Sequence, residues 1–521
     1  MSPSRWQRFR QAGGTGSVLI AVVFAGAVLA MDLWPAGPSH AGSLLVRRAA
    51  VGADSPGGEQ RPQQGFLVVL GRTGMIAAVI VLLCLYVYKY EPSIVADHSR
   101  GCAVAASLAL MLLVSKAMIG AGGWNFYLSV FAVFAAAAAL AIAFGQQFAF
   151  AASGGLVVLM ALQLRAGLGE LLVLWGAAAA VVFQLREVRT RSKLIEAGVA
   201  AAAVALGGVW AVQTAAGVPV RASLIDGSYA FAAAFAGGFL TQGVLPLIER
   251  VFRVATSLTL LEWCDADKPL LKRLALEAPG SYSHSLMLGT MSESAAQSIG
   301  GNGLLARVGS YYHDIGKINK PDYFVENQSG PSSRHDKLSP AISLLIIKGH
   351  VKDGLEMAGE YGLPRVLHEF ITTHHGTTLV EYFYHAAAQQ RKGDVERAPD
   401  EVEFRYPGPK PRLREAAILM LADAAESAVR AMAEPTPGRI ETQVHQVIHK
   451  RLMDGQLDEC ELTLKEVHAI ETSLVKSLCG IHHPRVKYPS QEKPPAEQAE
   501  PAHAKPSVPA GTDGPPNAKK G

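Results

Sequence analysis

The stretch Tyr311-Tyr312-His313-Asp314-Ile315-Gly316-Lys317 sets an imidazole beside a carboxylate and follows them with a glycine and a cation. An adjacent His and Asp can offer a nitrogen to one metal ion and a carboxylate able to bridge two. Gly316 is expected to end the local helix and let Lys317 turn back towards the site. The dipeptide alone is weak evidence, and the chain carries its own control. His335-Asp336 is also a His-Asp pair, but it lacks the Gly-Lys and sits among polar loop residues, so it reads as a surface or supporting pair.

Histidine gathers around this stretch: of 16 in the chain, eight fall between His284 and His385. His374-His375-Gly376 is a doublet that its glycine places at a helix C-terminus. Neighbouring histidines on a regular helix point apart, so the two share an ion only near a distorted helix end. His284 and His350 each stand alone, and an isolated histidine is more often a packed or exposed residue than a ligand. Asp423, in Leu421-Ala422-Asp423-Ala424-Ala425-Glu426, lies on an otherwise apolar helix. A carboxylate there is costly unless paired or metal-bound.

From Glu249 to Pro484 the pattern is helical throughout. Runs such as Ala341–Lys348 and Glu415–Ala433 repeat apolar residues at three- and four-residue spacing, and none alternates as a strand does. The expected class is therefore all-α. Gly362-Leu363-Pro364 and Pro435-Thr436-Pro437-Gly438 break helices. The polar, proline-bearing stretch from Arg391 to Arg412 reads as a long surface loop. Residues 487–521, rich in Pro, Ala, Lys and Glu, are expected to form a disordered tail.

The other half of the chain is different in kind. Only 18% of the 521 residues are charged, against about 25% in soluble domains, and the mean hydropathy is +0.20. Residues 1–250 hold 17 Lys+Arg and 10 Asp+Glu, whereas the remaining 271 hold 31 and 34. This excludes a disordered chain, a small disulfide scaffold and an ordinary cytosolic enzyme. A helix needs about 20 apolar residues to cross a bilayer. Eight stretches qualify, near 17–34, 66–88, 101–120, 125–144, 147–163, 168–184, 195–214 and 228–248, with 147–163 marginal and open to a re-entrant reading.

Arg5, Arg8 and Arg10 before the first span, and Arg186, Arg189, Arg191 and Lys193 in a later link, put the N-terminus inside. Arg47, Arg48, Arg61 and Arg221 fall outside, against the bias. Eight spans then leave everything after Arg250 in the cytoplasm. The first span reads as an uncleaved anchor, being long for a signal peptide. Arg72, Lys116, Arg165 and Glu170 lie in or near spans, mostly close to helix ends where snorkelling accounts for them. Five cysteines without CxxC spacing imply no disulfide framework.

The order of motifs resembles the HD-domain metal-dependent phosphohydrolases, and more closely the membrane-anchored seven-transmembrane HD proteins of the PgpH type. The resembling strings are Ala278-Pro279-Gly280-Ser281-Tyr282-Ser283-His284-Ser285, Tyr312-His313-Asp314-Ile315-Gly316-Lys317 and Tyr323-Phe324-Val325-Glu326-Asn327-Gln328. They continue through His335-Asp336-Lys337-Leu338-Ser339-Pro340, His374-His375-Gly376-Thr377 and Tyr382-Phe383-Tyr384-His385 to Phe404-Arg405-Tyr406-Pro407-Gly408-Pro409-Lys410-Pro411. The likeness covers roughly residues 66–486. It implies a polytopic helical membrane domain followed by an all-helical HD domain. The divisions would be an N-terminus with first anchor (1–34), a short extracytoplasmic loop (35–65), a seven-helix membrane domain (66–248), a cytoplasmic HD domain (249–486) and the tail.

The resemblance implies hydrolysis of cyclic di-AMP to 5′-pApA with two divalent ions, iron or manganese. His284, His313 and Asp423 would hold one ion and His350, His374 and His375 the other, with Asp314 bridging. Lys317 would contact a phosphate oxygen and assist the leaving group; Tyr323, Asn327 and Thr377 would touch the nucleotide. Imidazole and carboxylate ligands without thiolate suit iron or manganese, and two ions can activate water and neutralise a phosphodiester. The bilayer of a bacterial inner membrane is the other implied partner; no nucleic-acid duplex is expected, and a homodimer is open. The loop at 35–65 is short for this type, which puts external sensing by a large domain in doubt. Gly376-Thr377-Thr378-Leu379 replaces the GYP motif of the branch that cleaves cyclic di-GMP. Another cyclic dinucleotide or nucleotide as substrate, or a catalytically silent nucleotide receptor, are the competing expectations.

Overall fold

The computed structural model describes residues 14–33, 62–120, 126–186, 188–328, 333–390 and 400–482. The N-terminal arginines, most of the expected extracytoplasmic loop, residues 391–399 and the tail lie outside the described residues. Within them the chain is all-helical, with a single isolated bridge between Leu379 and Arg405 in place of any strand.

Eight apolar helices come first. They are α1 (Gly14–Leu33), α2 (Pro62–Tyr90), α3 (His98–Gly120), α4 (Val130–Phe144), α5 (Gln146–Leu164), α6 (Leu168–Gln184), α7 (Ser192–Ala215) and α8 (Val220–Phe252). Seven of these segments are long and apolar enough to cross a membrane, and α6, with 17 residues, is shorter. The segment whose hydropathy looked marginal, α5, is one of the two most enclosed spans. Two of its polar residues are buried: Ser153 donates to the Ala149 carbonyl at 2.6 Å and Gln163 to the Val28 carbonyl at 3.2 Å. Helices α7 and α8 touch backbone to backbone, because a Cβ on Gly238 would stand 2.9 Å from the Leu194 carbonyl oxygen. Small residues at such crossings let membrane helices pack closely.

Two of the intramembrane charges correct the snorkelling expectation. Arg72 on α2 pairs with the buried Asp32 of α1 at 3.0 Å, and Lys116 of α3 donates to the Met31 carbonyl. The charges point into a three-helix corner because Asp32, which the sequence reading passed over, supplies the counter-ion. Removing one member of a buried pair leaves the other uncompensated, at about 3–5 kcal/mol. Arg72→Gln is therefore expected to lower the melting temperature of the full chain in detergent, and Asp32→Asn combined with it to recover most of the loss.

The second half is built from α9 (Ser257–Trp263), α10 (Pro269–Glu277), α11 (Pro279–Ser298), α12 (Gly303–Tyr312), α13 (Pro340–Glu360), α14 (Arg365–Thr373), α15 (Glu381–Gln390), α16 (Arg414–Arg430), α17 (Pro437–Met453) and α18 (Leu464–Ile481). Helix α16 is the axis of this unit, buried continuously from Ala416 to Ala422 and packed by α11, α12, α14, α17 and α18. Local signals set the ends: the Asn302 side chain accepts from Leu305 N–H to start α12, and Thr463 with Glu466 forms a capping box on α18.

The expected long surface loop at 391–412 is corrected in its described part. Phe404 and Tyr406 are buried, and Val380 N–H donates to the Phe404 carbonyl while Tyr406 N–H donates to that of Thr378. Two aromatic side chains within the polar stretch pull it down beside the His374-His375 turn.

Candidate metal centre

Each donor is placed at or near a helix end or on a buried helix face. His284 lies one turn into α11, His313 caps the C-terminus of α12, His350 faces inward from α13, His374 caps α14, and Asp423 projects from α16. Gly376 has φ +51°, so the chain leaves α14 in a left-handed turn at the doublet. The His374 and His375 rings come within 4.0 Å between centroids, as a distorted helix end allows. Gly316 serves a purpose other than the expected turn. A Cβ there would meet the His350 carbonyl oxygen at 1.9 Å, so glycine is required for the Ile315–Asn319 turn to lie against α13.

Two groups of convergent donors result: His284, His313 and Asp314 on one side, and His350, His374 and His375 on the other. Asp314 stands between them. Its Oδ2 is 3.1 Å from His313 Nε2, and its Oδ1 is 3.4 Å from His350 Nε2 and 3.6 Å from His374 Nε2. Asp423 Oδ1 completes the first group at 3.1 Å from His284 Nε2.

Protons are already allotted. Nδ1 of His313 donates to the Ser310 carbonyl at 2.8 Å, that of His350 to Ile347 at 2.5 Å, and that of His374 to Ile371 at 2.9 Å. A carbonyl can only accept, so each ring is left with Nε2 as a bare acceptor aimed inward. Such contacts fix the tautomer of metal-binding histidines. The Nε2 atoms of His350 and His374 face each other at 3.2 Å, acceptor against acceptor. His313 Nε2 and Asp314 Oδ1 are buried with no hydrogen-bond partner. Converging lone pairs without protons between them are what a divalent cation fits.

Electrostatics agree. Burial pushes the His374 imidazole down to about 3 and holds His375 well below its usual range, so both rings stay neutral. Burial alone would raise Asp314, but the cationic surroundings, with Lys317 Nζ 2.7 Å away, outweigh it and keep the carboxylate ionised. His284 goes the other way: burial would lower it, but the Asp423 and Glu426 carboxylates, each 3.1 Å from a ring nitrogen, raise it to about 9.

A scan against family models matches residues 66–256 to "7TM receptor with intracellular HD hydrolase" and residues 281–428 to "HD domain". The chain is thus similar to membrane-anchored HD proteins over its apolar half and to HD domains over its second half. The first match runs from within α2 to just beyond α8, with α1 ahead of it. Cyclic-di-AMP phosphodiesterase PgpH of Bacillus subtilis is 46% identical over 259 residues, 50% of this chain and 36% of that protein. The protein of the same name from Listeria monocytogenes is 42% identical over 264 residues, again 36% of its length. The chain thus spans little more than a third of these relatives. A solved structure of the L. monocytogenes PgpH HD domain in complex with cyclic-di-AMP shares 44% identity, covering 42% of this chain and all of that one, at a TM-score of 0.39.

In this HD domain the other expected site residues have definite neighbours. Lys317 lies buried between Asp314 Oδ2 at 2.7 Å and Glu326 Oε1 at 2.6 Å, over the Phe324 ring. Burial would lower its pKa, but the two carboxylates raise it above the ordinary lysine range. Asn327 commits both ends of its amide to Ser281, accepting from its N–H at 3.1 Å and donating to its Oγ at 2.9 Å, so it ties the 325–327 turn to α11. Thr377 N–H donates to Gln456 Oε1 at 2.9 Å. The Tyr323 carbonyl accepts from His335 Nε2 at 2.9 Å, and the two rings meet edge to face. The second His-Asp pair therefore supports the loop, as its context suggested.

Sequence reasoning missed Glu326, Glu426, Tyr406 and Gln456. Glu426 Oε2 is 3.1 Å from His284 Nδ1, and Tyr406 stacks on His375 at 4.2 Å. Only Glu426 carried a usable signal: it follows Asp423 by three residues, hence on the same face of α16.

Proposed function

We propose that this chain is a membrane-bound phosphodiesterase that hydrolyses cyclic di-AMP to 5′-pApA, with iron or manganese as the resident ions. In this reading it sits in a bacterial inner membrane with the HD domain in the cytoplasm. The observation that carries it is the pair of donor groups meeting at Asp314, in a chain whose relatives include named cyclic-di-AMP phosphodiesterases. His284, His313 and Asp423 would hold one ion, His350, His374 and His375 the other, and Asp314 both. When bound, such ions supply Lewis acidity that lowers the pKa of water and neutralises phosphodiester charge.

The chain's own residues do the rest. Backbone carbonyls hold three imidazoles in the ligating tautomer before any ion arrives, which removes reorganisation from binding. Lys317 acts as a fixed charge rather than as an acid for the leaving group. Two carboxylates raise its pKa above the ordinary lysine range and so favour the charged form. Its third N–H remains to meet a phosphate oxygen. Tyr406, flat against His375, fixes that ring.

The test is turnover by the full chain in detergent with manganese, offered cyclic di-AMP, cyclic di-GMP and nucleoside triphosphates. Conversion of cyclic di-AMP to 5′-pApA is the expected result. Turnover confined to cyclic di-GMP would overturn the substrate assignment, and binding without turnover would leave a receptor.

A further inference from the structure

The proposed substrate carries two phosphodiester charges, yet the HD half of the chain is net acidic, with 31 basic against 34 acidic residues beyond position 250. The cation beside the donor groups, Lys317, is already balanced by Asp314 and Glu326. Beyond the ions that the proposed function places there, a further fixed cation would help to hold the substrate.

Arg451, in the last turn of α17, fits this need. Its carbonyl accepts from Gln456 N–H at 3.0 Å, and the Gln456 side chain holds Thr377, two residues beyond His375. The same turn presents Asp454 to Arg405, next to the Tyr406 that stacks on His375. The end of α17 is thus fastened to both segments that border the second donor group.

The acids near enough to act on the Arg451 charge are Asp423, Glu381 and Asp454, and each is engaged elsewhere. Asp423 meets His284 at 3.1 Å, Glu381 pairs with Lys450, and Asp454 is gripped by both Nη groups of Arg405 at 3.0 and 2.9 Å. Among the described residues the Arg451 guanidinium makes no ion pair, and its Nε is buried without a hydrogen-bond partner. A half-buried cation without a counter-ion is unfavourable, and a guanidinium matches phosphate oxygens in a two-pronged geometry.

We propose that Arg451 is a substrate-binding residue, its guanidinium receiving a phosphate group of the cyclic dinucleotide that seats against the donor groups. The assignment rests on the function proposed above. An arginine kept unpaired for a ligand predicts opposite effects on affinity and stability, which a structural arginine does not.

The experiment compares wild type, Arg451→Met and Arg451→Lys as full chains in detergent, loaded with manganese. It reads KM and kcat for cyclic di-AMP, the Kd of the linear product 5′-pApA, bound manganese and melting temperature. Arg451→Met is expected to raise KM and Kd tenfold or more, to leave kcat within about threefold and manganese unchanged, and to melt at or above the wild-type temperature. Arg451→Lys is expected to fall between. Unchanged KM and Kd would overturn the proposal, as would a lower melting temperature with loss of manganese. Because binding is read separately, a wild type that binds but does not cleave counts against the reaction and not against Arg451.

Discussion

Asp314→Ala is expected to abolish turnover and to lower the metal content of the full chain. Asp314 reaches both donor groups: it lies 3.1 Å from His313 and within 3.6 Å of both His350 and His374. Losing a partner outside the ligand set typically costs 10–100-fold in metal affinity or activity. Losing the group common to both sets should exceed that, and a fall of at least about 10³-fold is expected, near the upper range seen when a main electrostatic group is removed. The helical signal should be retained, since α12 and α16 are held by their apolar faces. Assay of turnover beside elemental analysis checks this, and a fully active Asp314→Ala protein would sink the two-ion account.

Lys317→Met should have the next largest effect, on stability as well as on rate. The change keeps the length of the side chain and removes the charge that lies 2.7 Å from Asp314 and 2.6 Å from Glu326. Two buried carboxylates then face each other across an apolar side chain. Breaking a buried ionic arrangement costs about 3–5 kcal/mol, so the melting temperature should fall by many degrees and turnover by on the order of 10²-fold. The double variant Lys317→Met with Glu326→Gln separates the two roles. It should restore most of the stability, because the surplus charge is gone, and little of the activity. Equal recovery of both would mean that Lys317 only supports the fold.

The sequence made the division of the chain legible, because lipid and water impose different compositions, and helical spacing made the class legible on both sides. Within the site, the residues that stand in a distinctive local context were the readable ones: His313-Asp314 before Gly-Lys, the doublet before Gly376, Asp423 on an apolar helix. Their partners were not. Glu326 finds Lys317 across a short turn, Gln456 finds Thr377 from 79 positions away, and Tyr406 reaches His375 out of a polar stretch. Such choices are made by tertiary packing and leave no period in the sequence. Gly316 is instructive in the same way. A glycine after His-Asp suggests a turn, whereas its role is to let one backbone approach another, which only the position of α13 reveals. Arg72 shows the same limit in the membrane half, since its inward direction depends on Asp32, 40 residues earlier.

The most direct measurement is a titration of the chelator-stripped full chain with manganese, reading bound metal and cyclic di-AMP hydrolysis together. The donor groups around Asp314 predict two ions per chain, with activity rising only as the second is taken up. Saturation of both metal and activity at one ion per chain would contradict the account.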